Sequence, residues 1–253
     1  MPAPPPVDRV HVWTASGDAV QPARLQHYRT LLSDDEIERC DRFVHEADRT
    51  RFVIARTLVR TMLSEYVPRH PRDWRFRIEE YGRPELAELP PGAPDLRFNL
   101  SHTPGLVACA VTVGRDIGVD VENVNRKLTH QVPERFFSPQ EVADLRALPL
   151  EEQQLVFFDY WTLKESYIKA RGLGLALPLG QFTFIRRAGS APTICFAPEL
   201  HDDAATWQFA QFWPTRDHRM AVAVRRVGED LPIDVSAVQI PAPSDGTRGG
   251  VEG

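Results

Sequence analysis

Two carboxylates stand two residues apart in Ile117-Gly118-Val119-Asp120-Val121-Glu122. Alternation along a strand sends Ile117, Val119 and Val121 to one face and Gly118, Asp120 and Glu122 to the other, with the carboxylates about 7 Å apart along the strand. Such a pair can bracket a hard cation. Magnesium takes one or two protein carboxylates and completes its shell with water and phosphate oxygens, and Gly118 leaves room for something to approach. A strand with one face in water shows the same alternation. Further along, residues 157–172 read as one helix. At 3.6 residues per turn Phe157, Trp161, Lys164 and Ile168 fall on one stripe, and Phe158, Thr162, Glu165 and Lys169 on the stripe beside it. An ammonium inside an apolar stripe must snorkel out along its stem or find buried partners, because an unpaired buried charge is costly.

Of the 30 basic residues only Lys127, Lys164 and Lys169 are lysines, so a chain that otherwise uses arginine keeps two lysines on this one helix. Coding bias with chance survivors would give the same count, and Glu165 with Lys169 is also an ordinary i, i+4 pair. Glu165 supplies a third carboxylate if the helix packs on the strand. Ser101-His102, in a predicted turn between strands, offers a hydroxyl and an imidazole suited to a phosphate.

The elements that must position these groups come in two similar sets. Val10-His11-Val12-Trp13 reads as a first strand. Ser33 and Glu36 form a capping box opening a helix to about Phe43, and a second helix runs from about Asp48 to Tyr66. Its exposed side carries Arg49, Arg51, Arg56 and Arg60, the pattern of a solvated face. Short strands are predicted at 74–78, 96–100, 106–113 and 117–122, with turns at 81–84, 101–105 and 114–116. The pattern then restarts: a capping box at Ser138 and Glu141 with Pro139 at the first helical position, the long helix from about 151 to 171 stopped by Gly172, and strands at 182–186, 193–196, 206–212 and 220–224. The fold class expected is α+β, with an N-terminal lobe over 9–115, a C-terminal lobe over 116–238, and disordered tails at 1–8 and 239–253.

The chain's 253 residues can bury one large core or two small ones, and its 26% charged and 42% hydrophobic residues describe a soluble protein. The net charge of −5 gives no reason to expect nucleic acid. Cys40, Cys109 and Cys195 have neither metal-ligand nor redox spacing and read as free thiols in a reducing compartment. The Pro-rich start is no signal peptide and no run is long enough to span a membrane, so the expected location is cytoplasmic.

Taken in order, Phe98-Asn99-Leu100-Ser101-His102, then Gly118-Val119-Asp120-Val121-Glu122, then Trp161-Thr162-Leu163-Lys164-Glu165-Ser166-Tyr167-Ile168-Lys169 resembles the Sfp-type 4′-phosphopantetheinyl transferases. Tyr81-Gly82-Arg83-Pro84 and Arg135-Phe136-Phe137-Ser138 resemble that family's weaker blocks. The resemblance implies a pseudo-dimer of two similar α/β lobes, with short antiparallel sheets, packed helices and the active site at the lobe interface. It implies Mg²⁺ on Asp120, Glu122 and Glu165, and Lys169 at the reacting phosphate. Ser101 and His102 would hold the coenzyme A diphosphate, with Arg83 near the nucleotide end and Arg39, Arg51 and Arg56 as candidates for the 3′-phosphate.

The implied reaction moves the phosphopantetheine arm of coenzyme A to a serine of an apo acyl- or peptidyl-carrier protein, releasing adenosine 3′,5′-bisphosphate. In it Glu165 would take the serine proton, directly or through a water, and Lys164 would tie the helix to the site or contact the phosphates. The expected enzyme is a monomer serving polyketide or nonribosomal peptide biosynthesis. Two rival readings are another Mg²⁺-dependent enzyme acting on a nucleotide diphosphate and a non-catalytic module binding coenzyme A or carriers. The first needs no carrier surface, and the intact carboxylates argue against the second.

Overall fold

The computed structural model describes residues 6–17, 20–126 and 132–240. Lys127, residues 1–5 of the expected N-terminal tail and 241–253 of the expected C-terminal tail lie outside them. The first half runs β1 (Val10–Ser16), α1 (Pro22–Thr30), α2 (Asp34–Asp41), α3 (Glu46–Tyr66), β2 (Phe76–Ile78), β3 (Pro84–Leu86), β4 (Leu96–Thr103) and β5 (Leu106–Val113). The second runs β6 (Ile117–Asn123), α4 (Val132–Phe136), α5 (Pro139–Arg146), α6 (Leu150–Arg171), β7 (Phe182–Ile185), β8 (Thr193–Phe196), β9 (Trp207–Thr215) and β10 (His218–Arg225). A last strand, β11 (Ile233–Ala237), follows.

The two halves repeat one topology. Strand order is β1-β5-β4 in one sheet and β6-β10-β9 in the other, and each half adds a small hairpin, β2-β3 or β7-β8. Alternation divides the apolar residues among three cores. Val107, Cys109 and Val111 of β5 pack under α3, Ala221 and Ala223 of β10 pack under α6, and the opposite faces of both strands meet between the sheets with Val10, Val12, Val119 and Val121. The layers are therefore helix, sheet, sheet, helix.

Each long helix is anchored by a buried cation. Arg60 of α3 is fully buried and donates to Glu36 Oε2 (2.9 Å), to Ser33 Oγ (3.1 Å) and to the carbonyls of Pro71 and Trp74 (2.8 and 3.0 Å). Ser33 and Glu36 are the capping box of α2. In the second half Lys164 of α6 pairs with Glu141 of the α5 capping box at 2.8 Å and donates to the carbonyls of Leu179 and Phe182, each at 2.8 Å. The arrangement satisfies the helix N-terminus, the carboxylate and the loop carbonyls together, the condition under which buried charge is tolerated.

Several elements depart from the sequence expectation, the unpredicted β3 and α4 among them. β4 continues through Ser101, His102 and Thr103, so these lie on a strand and the turn is confined to Pro104 and Gly105. They are polar because β4 faces β6 through side chains: Asn99 Oδ1, Ser101 Oγ and Thr103 Oγ1 accept from the N–H groups of Val119, Val121 and Asn123 at 3.0, 3.2 and 3.2 Å. Helix α1, with little apolar periodicity, was not expected. β11 falls within the predicted C-terminal lobe but pairs in parallel with β1, and Ile240 beyond it packs in the N-terminal core.

What sets α6 against β6 is Gly118. A Cβ built there would stand 1.9 Å from Ser166 O and 2.5 Å from Ala170 N, so the approaching group is the helix backbone itself. Gly118→Ala is expected to destabilise the fold by about 3 kcal/mol or more in urea unfolding, because the helix must move off the strand. Gly180→Ala, where nothing lies within 4 Å, is the control and should stay near wild type.

Candidate active site

The lobes meet along β4 and β6, and α6 lies across that seam. An open cleft of about 420 Å³ is lined there by Leu100, Ser101, His102, Asp120, Glu122, Trp161, Glu165 and Lys169. The strand supplies Asp120 and Glu122 from the face that holds Gly118. The helix supplies Trp161, Glu165 and Lys169 at spacings of four, one turn apart along one stripe.

Asp120 is buried, and its Oδ1 accepts from Lys169 Nζ at 2.6 Å and from Ser101 Oγ at 2.9 Å. Its Oδ2 is buried and has no hydrogen-bond partner. Lys169 also donates to Ser101 Oγ at 2.9 Å. Glu122 accepts from Trp161 Nε1 at 3.0 Å, from Arg126 at 3.4 Å and from Thr103 at 3.4 Å. Burial raises the Glu122 pKa, the Asp120 charge adds to the shift, and Arg126 and Trp161 oppose it. Glu165 is pushed up to about 7, first by burial and then by Asp120, with Lys169 pulling the other way. Crowded carboxylates of this kind call for a cation.

The residues fit magnesium, though no ready-made cluster of three metal-ligating side chains is present among the described residues. The place beside Asp120 Oδ1 is held by the Lys169 ammonium. A magnesium ion that keeps waters and takes substrate phosphates needs only one or two carboxylates, and the orphaned Asp120 Oδ2 offers one.

Basic groups extend from the cleft. His102, on the cleft wall, has its pKa lowered by desolvation first, then by the positive charges of Lys169 and Arg51. Arg51 itself pairs with Asp48 at 2.5 Å, and Arg39 is exposed with its guanidinium 5.7 Å from the Phe52 ring centroid. Arg83 borders an adjoining cavity of about 390 Å³ that shares Leu100, Trp161, Glu165 and Lys169 with the cleft. It donates to the carbonyl of Ala170 at 2.9 Å and to Glu85, and closes the end of α6.

Two expectations need correction. Lys164 cannot touch reacting atoms: it is fully buried, committed to Glu141, Leu179 and Phe182, and its Nζ is 4.1 Å from the Phe182 ring centroid. Burial lowers its pKa and the Glu141 carboxylate opposes that shift. Arg56 and Arg60, expected on a solvated face, are buried. Arg56 is 8% exposed, faces Glu36 at 3.5 Å and lies near the rings of Phe52 and Phe76, so it does not present its charge to the cleft. Sequence alone assigns no role to Asn99, Thr103 or Arg126. The first two were legible only as an every-second-residue polar series with Ser101.

A family model described as the 4′-phosphopantetheinyl transferase superfamily matches residues 116–223, and one described as 4′-phosphopantetheinyl transferase, N-terminal, matches 18–113. The 4′-phosphopantetheinyl transferase HetI of a Nostoc species is 38% identical over 181 residues, covering 70% of this chain and 76% of that protein. The 4′-phosphopantetheinyl transferase Sfp of Bacillus subtilis is 32% identical over 213 residues, covering 84% and 90%. The chain belongs to the 4′-phosphopantetheinyl transferase family. It is accordingly a transferase that carries phosphopantetheine from coenzyme A to apo carrier proteins.

The two helix lysines should separate by experiment. Lys164→Met leaves Glu141 buried and uncompensated, and is expected to cost about 3–5 kcal/mol in urea unfolding while the folded fraction binds coenzyme A as wild type does. Lys169→Met, at a partly exposed ammonium, should cost less stability and weaken coenzyme A binding by calorimetry.

Glu165 gives a pH signature to the metal-free protein. Its folded pKa of about 7 lies above the ordinary 4.5, so the stabilising condition is protonation, complete below about pH 4.5 and lost as pH rises through 7. Glu165→Gln should therefore stabilise the metal-free chain at pH 8 by up to about 3 kcal/mol, a gain that fades toward pH 4.5. A gain independent of pH in thermal melts would contradict the assignment.

Proposed function

We propose that the chain transfers the phosphopantetheine arm of coenzyme A to a serine hydroxyl of an apo acyl- or peptidyl-carrier protein in a Mg²⁺-dependent reaction, releasing adenosine 3′,5′-bisphosphate. The observation that carries the reading is the convergence of Asp120, Glu122, Glu165 and Lys169 with Ser101 and His102 in one cleft at the seam. Asp120, Glu122 and Glu165 are the residues that would hold the ion. When bound, magnesium would neutralise and orient the diphosphate, the main demand of phosphoryl transfer.

The chain's own groups account for the rest. Lys169, with His102 and Ser101, would contact the diphosphate oxygens. Arg51 and Arg39 extend the positive surface toward a 3′-phosphate, and Arg83 borders the cavity beside Lys169. Glu165 makes no hydrogen bond among the described residues and lines the cleft, which leaves its carboxylate available to accept the serine proton. We place the lobe division at the Gly114–Asp116 turn, with β11 returned to the first sheet.

The enzyme is read as a cytoplasmic monomer. Among the described residues no helix is long and apolar enough to cross a membrane, and the net charge of −5 gives nucleic acid no general attraction.

Purified protein, coenzyme A and Mg²⁺ mixed with a panel of apo carrier domains should raise one carrier's intact mass by one phosphopantetheine. Asp120→Ala and chelation of divalent ions should each abolish the gain with the fold intact, and dephospho-coenzyme A should bind more weakly than coenzyme A. Wild-type transfer after chelation would remove the metal from the reading. Release of nucleotide with no carrier modified would favour a hydrolase instead.

A further inference from the structure

Between β4 and β6 the lobes are joined by side chains rather than by a backbone ladder. Asn99, Ser101 and Thr103 share one face of β4 at every second residue, are 4–5% exposed, and accept from Val119, Val121 and Asn123 of β6. Residue numbers rise together along both strands, so β4 and β6 run parallel here. An interposed side chain holds two strands farther apart than the about 4.8 Å of a direct ladder. That extra width is where the Ser101 hydroxyl and the Lys169 ammonium both reach Asp120.

We propose that Asn99 and Thr103 are positioning residues that set this gap and thereby aim Asp120 and Glu122 for cation binding. The inference rests on the metal reading given above. Asn99 fixes β6 at Val119, between Gly118, on which α6 rests, and Asp120. Thr103 fixes β6 at Asn123 and also donates from Oγ1 to Glu122 Oε2 at 3.4 Å. The pair thus brackets Ser101, which is itself engaged with Asp120. Removing either rung orphans a β6 N–H and lets the strand drift toward β4, turning the carboxylates it carries.

The test is Mn²⁺ binding to the full chain in the presence of coenzyme A, followed by electron paramagnetic resonance beside thermal melts. Asn99→Ala and Thr103→Val should weaken Mn²⁺ binding about tenfold, as loss of a supporting hydrogen bond does around metal sites. Thr103→Ser keeps the hydroxyl and should retain wild-type affinity. Val59→Ala, a cavity in the α3 core away from the seam, should lower the melting temperature without weakening Mn²⁺ binding. Unchanged affinity in Thr103→Val, or equal losses in Thr103→Ser and Thr103→Val, would overturn the positioning role, as would an equal loss in Val59→Ala. If Asn99→Ala does not fold, the Thr103 pair decides. A wild-type chain that binds no Mn²⁺ with coenzyme A present would overturn the metal reading and this inference with it, an outcome distinct from binding that the variants share.

Discussion

The contact on which the site depends is the seating of the α6 backbone on β6 at Gly118. With a hydrogen in place of a side chain, the strand lets Ser166 O and Ala170 N come within the space a Cβ would fill. Glu165 and Lys169 flank that contact, one residue before Ser166 and one before Ala170, so they are carried down onto the strand beside Asp120 and Glu122. The crowding of carboxylates is a consequence of this approach. It shows in the raised pKa values of Glu122 and Glu165, in the Lys169 ammonium drawn onto Asp120, and in an Asp120 oxygen left without a partner. The protein stores unfavourable electrostatics at one point, which a cation and a phosphorylated substrate can relieve.

The internal repeat explains both how the helix is held and why the paired carboxylates face an open edge at β6. Arg60 and Lys164 play the same part, each driving a long helix onto the capping box of the short helix before it and tying down the loop that follows. Breaking such a pair is far more costly than never having built it, so the cations fix the helix rotations that point Glu165 at the seam. By pairing register β1 is the counterpart of β6, and where β6 has Asp120 and Glu122, β1 has Trp13 and Ala15. The free edge of β1 is covered by β11, whereas β6 is left facing the side chains of β4. One half of the duplication supplies the paired carboxylates and the other half closes its equivalent edge.

The parts legible in the sequence were those governed by local periodicity. Alternation placed Asp120 and Glu122 on one face, helical spacing put Glu165 and Lys169 on one stripe, and both capping boxes were readable from Ser33 with Glu36 and Ser138 with Glu141. What escaped depends on distant partners. The apolar stripe showed that Lys164 needed a buried partner, but that partner is a carboxylate 23 residues upstream together with two carbonyls beyond the helix. Ser101 and Thr103 read as a turn because small polar residues usually do. Their place on a strand follows only from the rungs to β6. β11 alternates Ile233, Val235 and Ala237 with Asp234 and Ser236, so its strand character was local, but its parallel pairing with β1 depends on a partner more than 200 residues upstream.

We propose that Asp120, Glu122 and Glu165 would hold one divalent ion between β6 and α6, beside the diphosphate of coenzyme A. Anomalous diffraction from crystals grown with Mn²⁺ and coenzyme A measures that position directly. A single manganese peak is expected within coordination distance of Asp120 Oδ2 and of at least one of Glu122 and Glu165, with Lys169 turned away from Asp120 toward the diphosphate. A manganese peak elsewhere, or a bound coenzyme A with Lys169 still on Asp120 and no metal at the seam, would contradict it.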